Sequence, residues 1–327
     1  MSTQNKLIYD LIIIGAGPAG LSAGLFSGRY KMKTAIISKV LGGTPLEAHL
    51  VENWPGIKSI TGPELSKKML EQVKALESVE IITKEITGVK KHKDLFNVYT
   101  NVITNVITSK SKNKNADHGM RAKSLILAMG NRPRKLEIPG EAEFLGKGVS
   151  YCVTCDGPLF QDKTVAVIGG GNSACTGALP LSEYAKKIYL IYRKGCLRAD
   201  EMVKEKIEKN PKIEIIYNTN VLEILGKNSV ESVKIDNSYQ NKNSLKVQGV
   251  FVEIGSVPNI ALCQNLGVEL DNMNQIKVNI RENYSTNISG VFGAGDITDA
   301  TSMRQIITAA AEGAVAARGA YDYLQSQ

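Results

Sequence analysis

Two separate glycine loops, each entered from an apolar strand and left by a helix, predict an α/β chain of two Rossmann-like, three-layer nucleotide-binding domains. Gly/Pro punctuation at Met129-Gly130-Asn131-Arg132-Pro133 and at Gly255-Ser256-Val257-Pro258-Asn259 brackets the second loop. A Gly-Asp turn follows the second boundary, at Gly295-Asp296, so the second domain is expected to be inserted into the first. The expected extents are 1–131 with 258–327 for the outer domain and 132–257 for the inserted one.

Composition limits the alternatives. The 327 residues are enough for two compact domains. No run approaches the roughly 18 uninterrupted apolar residues of a membrane helix. Met1 to Asp10 is polar and leads directly into a strand, unlike a signal peptide, and five cysteines are too few for an exported disulfide scaffold. A cytoplasmic location is expected. The net charge of +8 is spread along the chain and reads as solvated surface or as attraction for an acidic or phosphorylated partner. No basic run is interleaved with aromatics, so nucleic-acid binding is not expected.

In chain order, Leu7 to Ile14 reads as a buried parallel strand. Gly15-Ala16-Gly17-Pro18-Ala19-Gly20 follows, then a small-residue helix. Gly15 suits the tight turn, Gly17 the approach of backbone to a pyrophosphate, and Gly20 close helix–strand packing. The second strand, Thr34 to Ile37, ends at Ser38, where the fingerprint usually has an acidic ribose-holder. Gly42-Gly43-Thr44 and Val51-Glu52-Asn53-Trp54-Pro55-Gly56 form a turn-rich region, and residues 63 to 77 an amphipathic helix. Short strands are expected from Val79 to Leu127, with a polar hairpin tip at Thr108 to Arg121.

The second glycine loop, Gly169-Gly170-Gly171-Asn172-Ser173-Ala174, lies between the strand Thr164 to Ile168 and a helix that Pro180 is expected to bend or interrupt. The next strand, Lys187 to Tyr192, runs into Arg193-Lys194, with Arg198 close behind. Cations in place of the acidic ribose-holder fit a 2′-phosphate and favour NADP over NAD. Strands return from Lys212 to Ile254, broken by a polar turn at Asn237 to Ser244, and a final helix spans about Arg304 to Tyr323.

Between the two glycine loops lies Cys152-Val153-Thr154-Cys155-Asp156-Gly157, the one place where two cysteines are close in sequence. A dithiol between two nucleotide sites suggests electrons passing through cofactors to a disulfide. The other reading of such a pair is half a zinc site, which needs two further ligands. Cys175, Cys196 and Cys263 are scattered singly, and His49, His92 and His118 have no ligand-like spacing, so no metal is expected.

Five motifs in order, GAGPAG at Gly15, VENWPG at Val51, CVTCDG at Cys152, GGGNSA at Gly169 and GVFGAGD at Gly290, closely resemble those of the low-molecular-weight thioredoxin reductases. These are class II pyridine nucleotide-disulfide oxidoreductases, and the resemblance covers nearly the whole chain. It implies an outer FAD domain, an inserted NADPH domain carrying the dithiol, a homodimer, and a swing of one domain against the other. FAD would meet the first glycine loop, Ser38, Gly43, Thr44, Asn53, Gly295, Asp296, Arg304 and Gln305. NADPH would meet Gly169, Gly171, Asn172, Ser173, Ala174, Arg193, Lys194 and Arg198. Cys155 would lie over the flavin, Cys152 would attack a thioredoxin or glutaredoxin-like disulfide, and Asp156 would donate and accept the proton.

The chain departs from the pattern at Thr44, at Thr176-Gly177 where two acids are common, and at Tyr192 and Lys194 in place of histidine and arginine. Two alternatives stay open. One keeps the flavin–dithiol core with another electron donor: NADH, reduced deazaflavin or ferredoxin. The other is a redox-sensing flavoprotein module.

Overall fold

The computed structural model describes residues 8–48, 50–101 and 119–327. They form two compact units. One holds the described residues of 1–46, 50–131 and 258–327, and the other those of 47–49 and 132–257.

The first unit opens with β1 (Ile8–Ala16), α1 (Pro18–Arg29), β2 (Thr34–Leu41), α2 (Gly62–Lys74), β3 (Val79–Thr83), β4 (Ile86–His92), β5 (Leu95–Thr100) and β6 (Met120–Leu127). Their sheet order is β3-β2-β1-β6-β5-β4, parallel from β3 to β6 and antiparallel at β5 and β4. The inner stretch of β1, residues 11–14, is apolar because both its faces are covered. Leu11 and Ile13 join the core under α1, while Ile12 and Ile14 join the opposite core with Val89, Phe96 and Val98. α2 starts at a full capping box, in which Thr61 accepts from the Glu64 N–H and the Glu64 side chain accepts from the Thr61 N–H.

Three expectations change here. β2 continues past Ile37 to Leu41 because, after a bulge, Ala16 keeps Leu41 as its parallel neighbour. α2 ends at Lys74 rather than at residue 77. The polar segment at 108–121 lies mostly outside the described residues.

After β7 (Asn131–Pro133) the second unit contributes β8 (Val149–Ser150), α3 (Val153–Asp156), β9 (Thr164–Ile168), α4 (Asn172–Tyr184), β10 (Lys187–Ile191), α5 (Glu201–Glu208) and β11 (Ile213–Ile216). β12 (Val221–Gly226), β13 (Val230–Tyr239), β14 (Lys242–Lys246) and β15 (Gly249–Val252) follow. The parallel sheet β11-β10-β9-β15-β8 is the middle of three layers. Val165, Val167, Ile188 and Leu190 meet Ala174, Ala178 and Leu181 of α4 on one face. Ala166, Ile168 and Ile191 meet Ile224, Val233 and Leu245 of the antiparallel β12-β13-β14 sheet on the other.

α4 runs through Pro180 without a break. The missing hydrogen bond is outweighed by the buried face of Ala174, Cys175, Ala178 and Leu181. The polar turn after β13 is also shorter than expected. Only Gln240 and Asn241 leave the strands, with φ of 50° and 62°, a left-handed pair suited to a two-residue hairpin.

The chain returns to the first unit after β16 (Ser256–Pro258) with α6 (Ala261–Leu266), β17 (Val291–Gly293) and α7 (Ile306–Gln325). β17 extends the first sheet beside β6, and α7 packs on α1. A Cβ at Gly313 would sit 2.0 Å from the Ala19 carbonyl oxygen, so this close helix contact requires glycine.

Candidate functional site

In the first unit β1 delivers Gly15 with φ of +110°, and a Cβ there would lie 2.3 Å from the Ala128 carbonyl oxygen. A Cβ at Gly20 would meet the Gly15 carbonyl oxygen at 1.9 Å. The turn between Ala16 and Ala19 is therefore compressed against the sheet. α1 begins at Gly17 with no side-chain cap and with Pro18 in its first turn. Gly43, at φ +67°, brings its own backbone against Gly17, where a Cβ would lie 2.7 Å from the Gly17 Cα. The result is a bare-backbone cradle at an uncapped helix N-terminus, which fits a pyrophosphate. The Ser38 hydroxyl donates to the Val40 carbonyl at 2.7 Å, so its proton is already committed within the end of β2. Thr44 opens a short 3-10 turn, Thr44–Glu47.

The C-terminal part of the same unit gathers a second polar cluster. Asn53 Nδ2 donates to Gln305 Oε1 at 3.0 Å, and Gln305 caps α7 with Thr308. Asp296 follows Gly295, and burial pushes its carboxyl above the usual range while the Arg304 charge opposes that shift. Arg304 Nε is buried with no hydrogen-bond partner. An unsatisfied buried guanidinium N–H beside a half-buried acid fits a polar ligand completing the cluster.

Sequence reasoning missed Glu312. It is buried in α7, accepts the Gly295 N–H at 2.7 Å, and lies 3.0 Å from the Thr298 hydroxyl. The available signal was a lone acid within the apolar run Ala309 to Ala317.

In the second unit Cys152 and Cys155 form a disulfide across α3, with Cα atoms 5.3 Å apart. Cys152 caps this short helix, its Sγ accepting from the Cys155 N–H at 3.1 Å. The Ser150 hydroxyl accepts from the Cys152 N–H at 3.0 Å. Cys155 is exposed, while Cys152 and Asp156 are half-buried. The strand before the dithiol is held by Glu141, a buried acid accepting from the Leu136 and Glu137 N–H groups and the Tyr151 hydroxyl, all within 2.8 Å. Among the described residues no group of three or more His, Cys, Asp or Glu is placed to hold a metal ion.

The second glycine loop repeats the logic of the first. Gly169 has φ of +144°, and a Cβ there would lie 2.1 Å from the Glu253 carbonyl oxygen and 2.9 Å from the buried Ala174 side chain. Gly171 stands at the N-cap position of α4 with no side chain to cap it and open space around its Cβ position, and Ser173 is exposed on the first turn. Asn172 is spent on the scaffold, its Oδ1 accepting from the Asp200 N–H at 2.7 Å. Arg193 and Lys194 are exposed just beyond β10. Arg198 is tied to the loop directly, its N–H donating to the Gly170 carbonyl at 2.7 Å and its Nε to the Tyr192 hydroxyl at 2.8 Å.

Comparison with known proteins agrees with this arrangement. The family profile for pyridine nucleotide-disulphide oxidoreductases matches residues 9–313. A thioredoxin reductase of Peptoclostridium acidaminophilum is 38% identical over 98% of both chains. One of Treponema pallidum is 39% identical over 97% of this chain and 98% of its own. The crystal structure of Lactococcus lactis thioredoxin reductase superposes with a TM-score of 0.88 at 35% identity, covering 98% of this chain and all of that one. The chain belongs to the pyridine nucleotide-disulphide oxidoreductase family, among its low-molecular-weight thioredoxin reductases.

Proposed function

We propose that this protein reduces the disulfide of thioredoxin or a thioredoxin-like protein, using electrons from NADPH delivered through FAD to Cys152 and Cys155. The observation that carries this reading is the Cys152–Cys155 disulfide, placed on a helical turn just before a second glycine loop. The bare cradle of Gly15, Gly17 and Gly43 and the unpartnered Arg304 Nε support FAD in the first unit. Asp296, Arg304, Asn53 and Gln305 would line its polar side. The uncapped α4 start and the cations Arg193, Lys194 and Arg198 support NADPH in the second unit, residues 132–257. Bound together, the two cofactors supply the electron pair that opens the disulfide.

The chain's own groups then perform thiol–disulfide exchange. The Cys152 thiolate attacks one sulfur of the partner disulfide, forming a mixed disulfide and expelling the partner's other sulfur as a thiolate. Asp156 supplies the proton that this leaving thiolate takes up. The Cys155 thiolate attacks Cys152 Sγ, expelling the partner's second sulfur as a thiolate and reclosing the Cys152–Cys155 bond. Two electrons leave the dithiol and two reduce the partner. The Cys155 N–H that points at Cys152 Sγ favours the thiolate at that sulfur.

Homodimerisation and a cytoplasmic setting belong to the same proposal. No helix among the described residues is long and apolar enough to cross a membrane. Anaerobic titration with NADPH and then NADH, followed by the visible flavin absorbance, tests the donor. Bleaching by NADPH at far lower concentration than NADH supports the reading. Bleaching by dithionite alone would show that electrons enter from another donor.

A further inference from the structure

Tyr192 joins the second glycine loop to the cation-rich turn. Its side chain is 5% exposed, and its ring lies flat enough against the loop that a Cβ at Gly170 would fall 2.3 Å from ring carbons. Its backbone is held on both sides, the N–H donating to the Ile216 carbonyl at 2.9 Å and the carbonyl accepting from the Thr219 N–H at 3.1 Å. From this fixed base the hydroxyl accepts the Arg198 Nε proton at 2.8 Å. The Arg198 backbone donates to Gly170 at 2.7 Å, so ring, loop and arginine form one closed unit.

The choice of acceptor matters. A carboxylate at this position would neutralise the guanidinium it orients. A phenol orients it and leaves the positive charge uncompensated, and among the described residues Arg198 forms no ion pair. Engagement of Nε also leaves both Nη groups, the fork suited to two phosphate oxygens.

We infer that Tyr192 is a positioning residue for nucleotide choice: it holds Arg198 beside the glycine loop with its charge and both Nη groups free for a 2′-phosphate. The inference rests on the NADPH reading of this unit and names the group that makes the arginine selective. The test is calorimetric titration of the full-length protein with adenosine 2′,5′-bisphosphate and with adenosine 5′-monophosphate. Tyr192→Phe, which keeps the ring, is expected to weaken the bisphosphate roughly fivefold to tenfold and leave the monophosphate unchanged. In an Arg198→Ala background the same change should have no further effect. Arg198→Lys, which keeps the charge but has neither Nε nor the Nη fork, should lose at least as much as Tyr192→Phe and leaves the ring unaltered. Equal weakening of both ligands, or of neither, or full bisphosphate affinity in Arg198→Lys, overturns the positioning role. Wild-type protein that binds the two nucleotides alike overturns the NADPH reading, and this inference with it.

Discussion

Glu312 Oε2 accepts the backbone N–H of Gly295 at 2.7 Å, fixing the turn that presents Asp296 from a helix that neither motif contains. The Thr298 hydroxyl shares the same oxygen at 3.0 Å. Glu312→Ala would leave the buried Gly295 N–H without an acceptor, while the Thr298 hydroxyl keeps the Gly295 carbonyl at 3.0 Å. The expected loss is about 1–3 kcal/mol of unfolding free energy, against about 1 kcal/mol or less for Glu312→Gln, which keeps one acceptor oxygen. Urea unfolding with an unchanged slope measures it, and equal losses in the two variants would mean that the Gly295 N–H is satisfied elsewhere.

Gly43 and Gly56 separate backbone strain from close approach. Both have positive φ, +67° and +88°, so an alanine at either is strained by about 1–2 kcal/mol. Only at Gly43 does the new Cβ also meet backbone, 2.7 Å from the Gly17 Cα; at Gly56 nothing lies within 4 Å. Gly43→Ala should therefore be purified with much less flavin per chain, while Gly56→Ala keeps its flavin and is only slightly less stable. Full flavin content in Gly43→Ala would remove the cradle from the FAD site.

The three free thiols differ sharply in environment. Cys196 is exposed, whereas burial pushes Cys175 up to about 11 and Cys263 up to about 12. Native oxidised protein treated with iodoacetamide at about pH 8 should gain one adduct, at Cys196. Because folding raises the Cys175 value above its ordinary 9.0, the folded state keeps that proton longer than the unfolded chain. Its stabilisation is full below pH 9.0 and is lost as pH rises toward about 11. Cys175→Ala should remove that part of the alkaline decline, seen as a smaller difference between the variant and wild type above pH 9.0 than below it.

The glycine loops and the dithiol were legible in sequence because their physics is local. Gly15 at φ +110° and Gly169 at φ +144° admit no side chain, and a reversible disulfide needs cysteines a few residues apart. Strands such as β1 announce themselves by being apolar on both faces. What stayed hidden depends on partners distant in sequence or on context. Asn53 meets Gln305 across 252 residues, and Glu312 works on a turn 17 residues earlier. Pro180 reads as a helix breaker until the buried face around it is known. The hairpin at Gln240 and Asn241 takes two left-handed residues without a glycine to signal it. Tyr192 looked like a departure from the motif, and only the folded turn shows its hydroxyl on Arg198.

NADPH oxidation coupled to oxidised thioredoxin, comparing wild type with Cys152→Ser and Cys155→Ser, decides whether the dithiol carries the electrons. Wild type is expected to turn over steadily and each variant to lose at least about a thousandfold, since neither can close the Cys152–Cys155 bond. Both variants should still be yellow and still bleach with NADPH. Thioredoxin reduction that survives in either variant would contradict the relay.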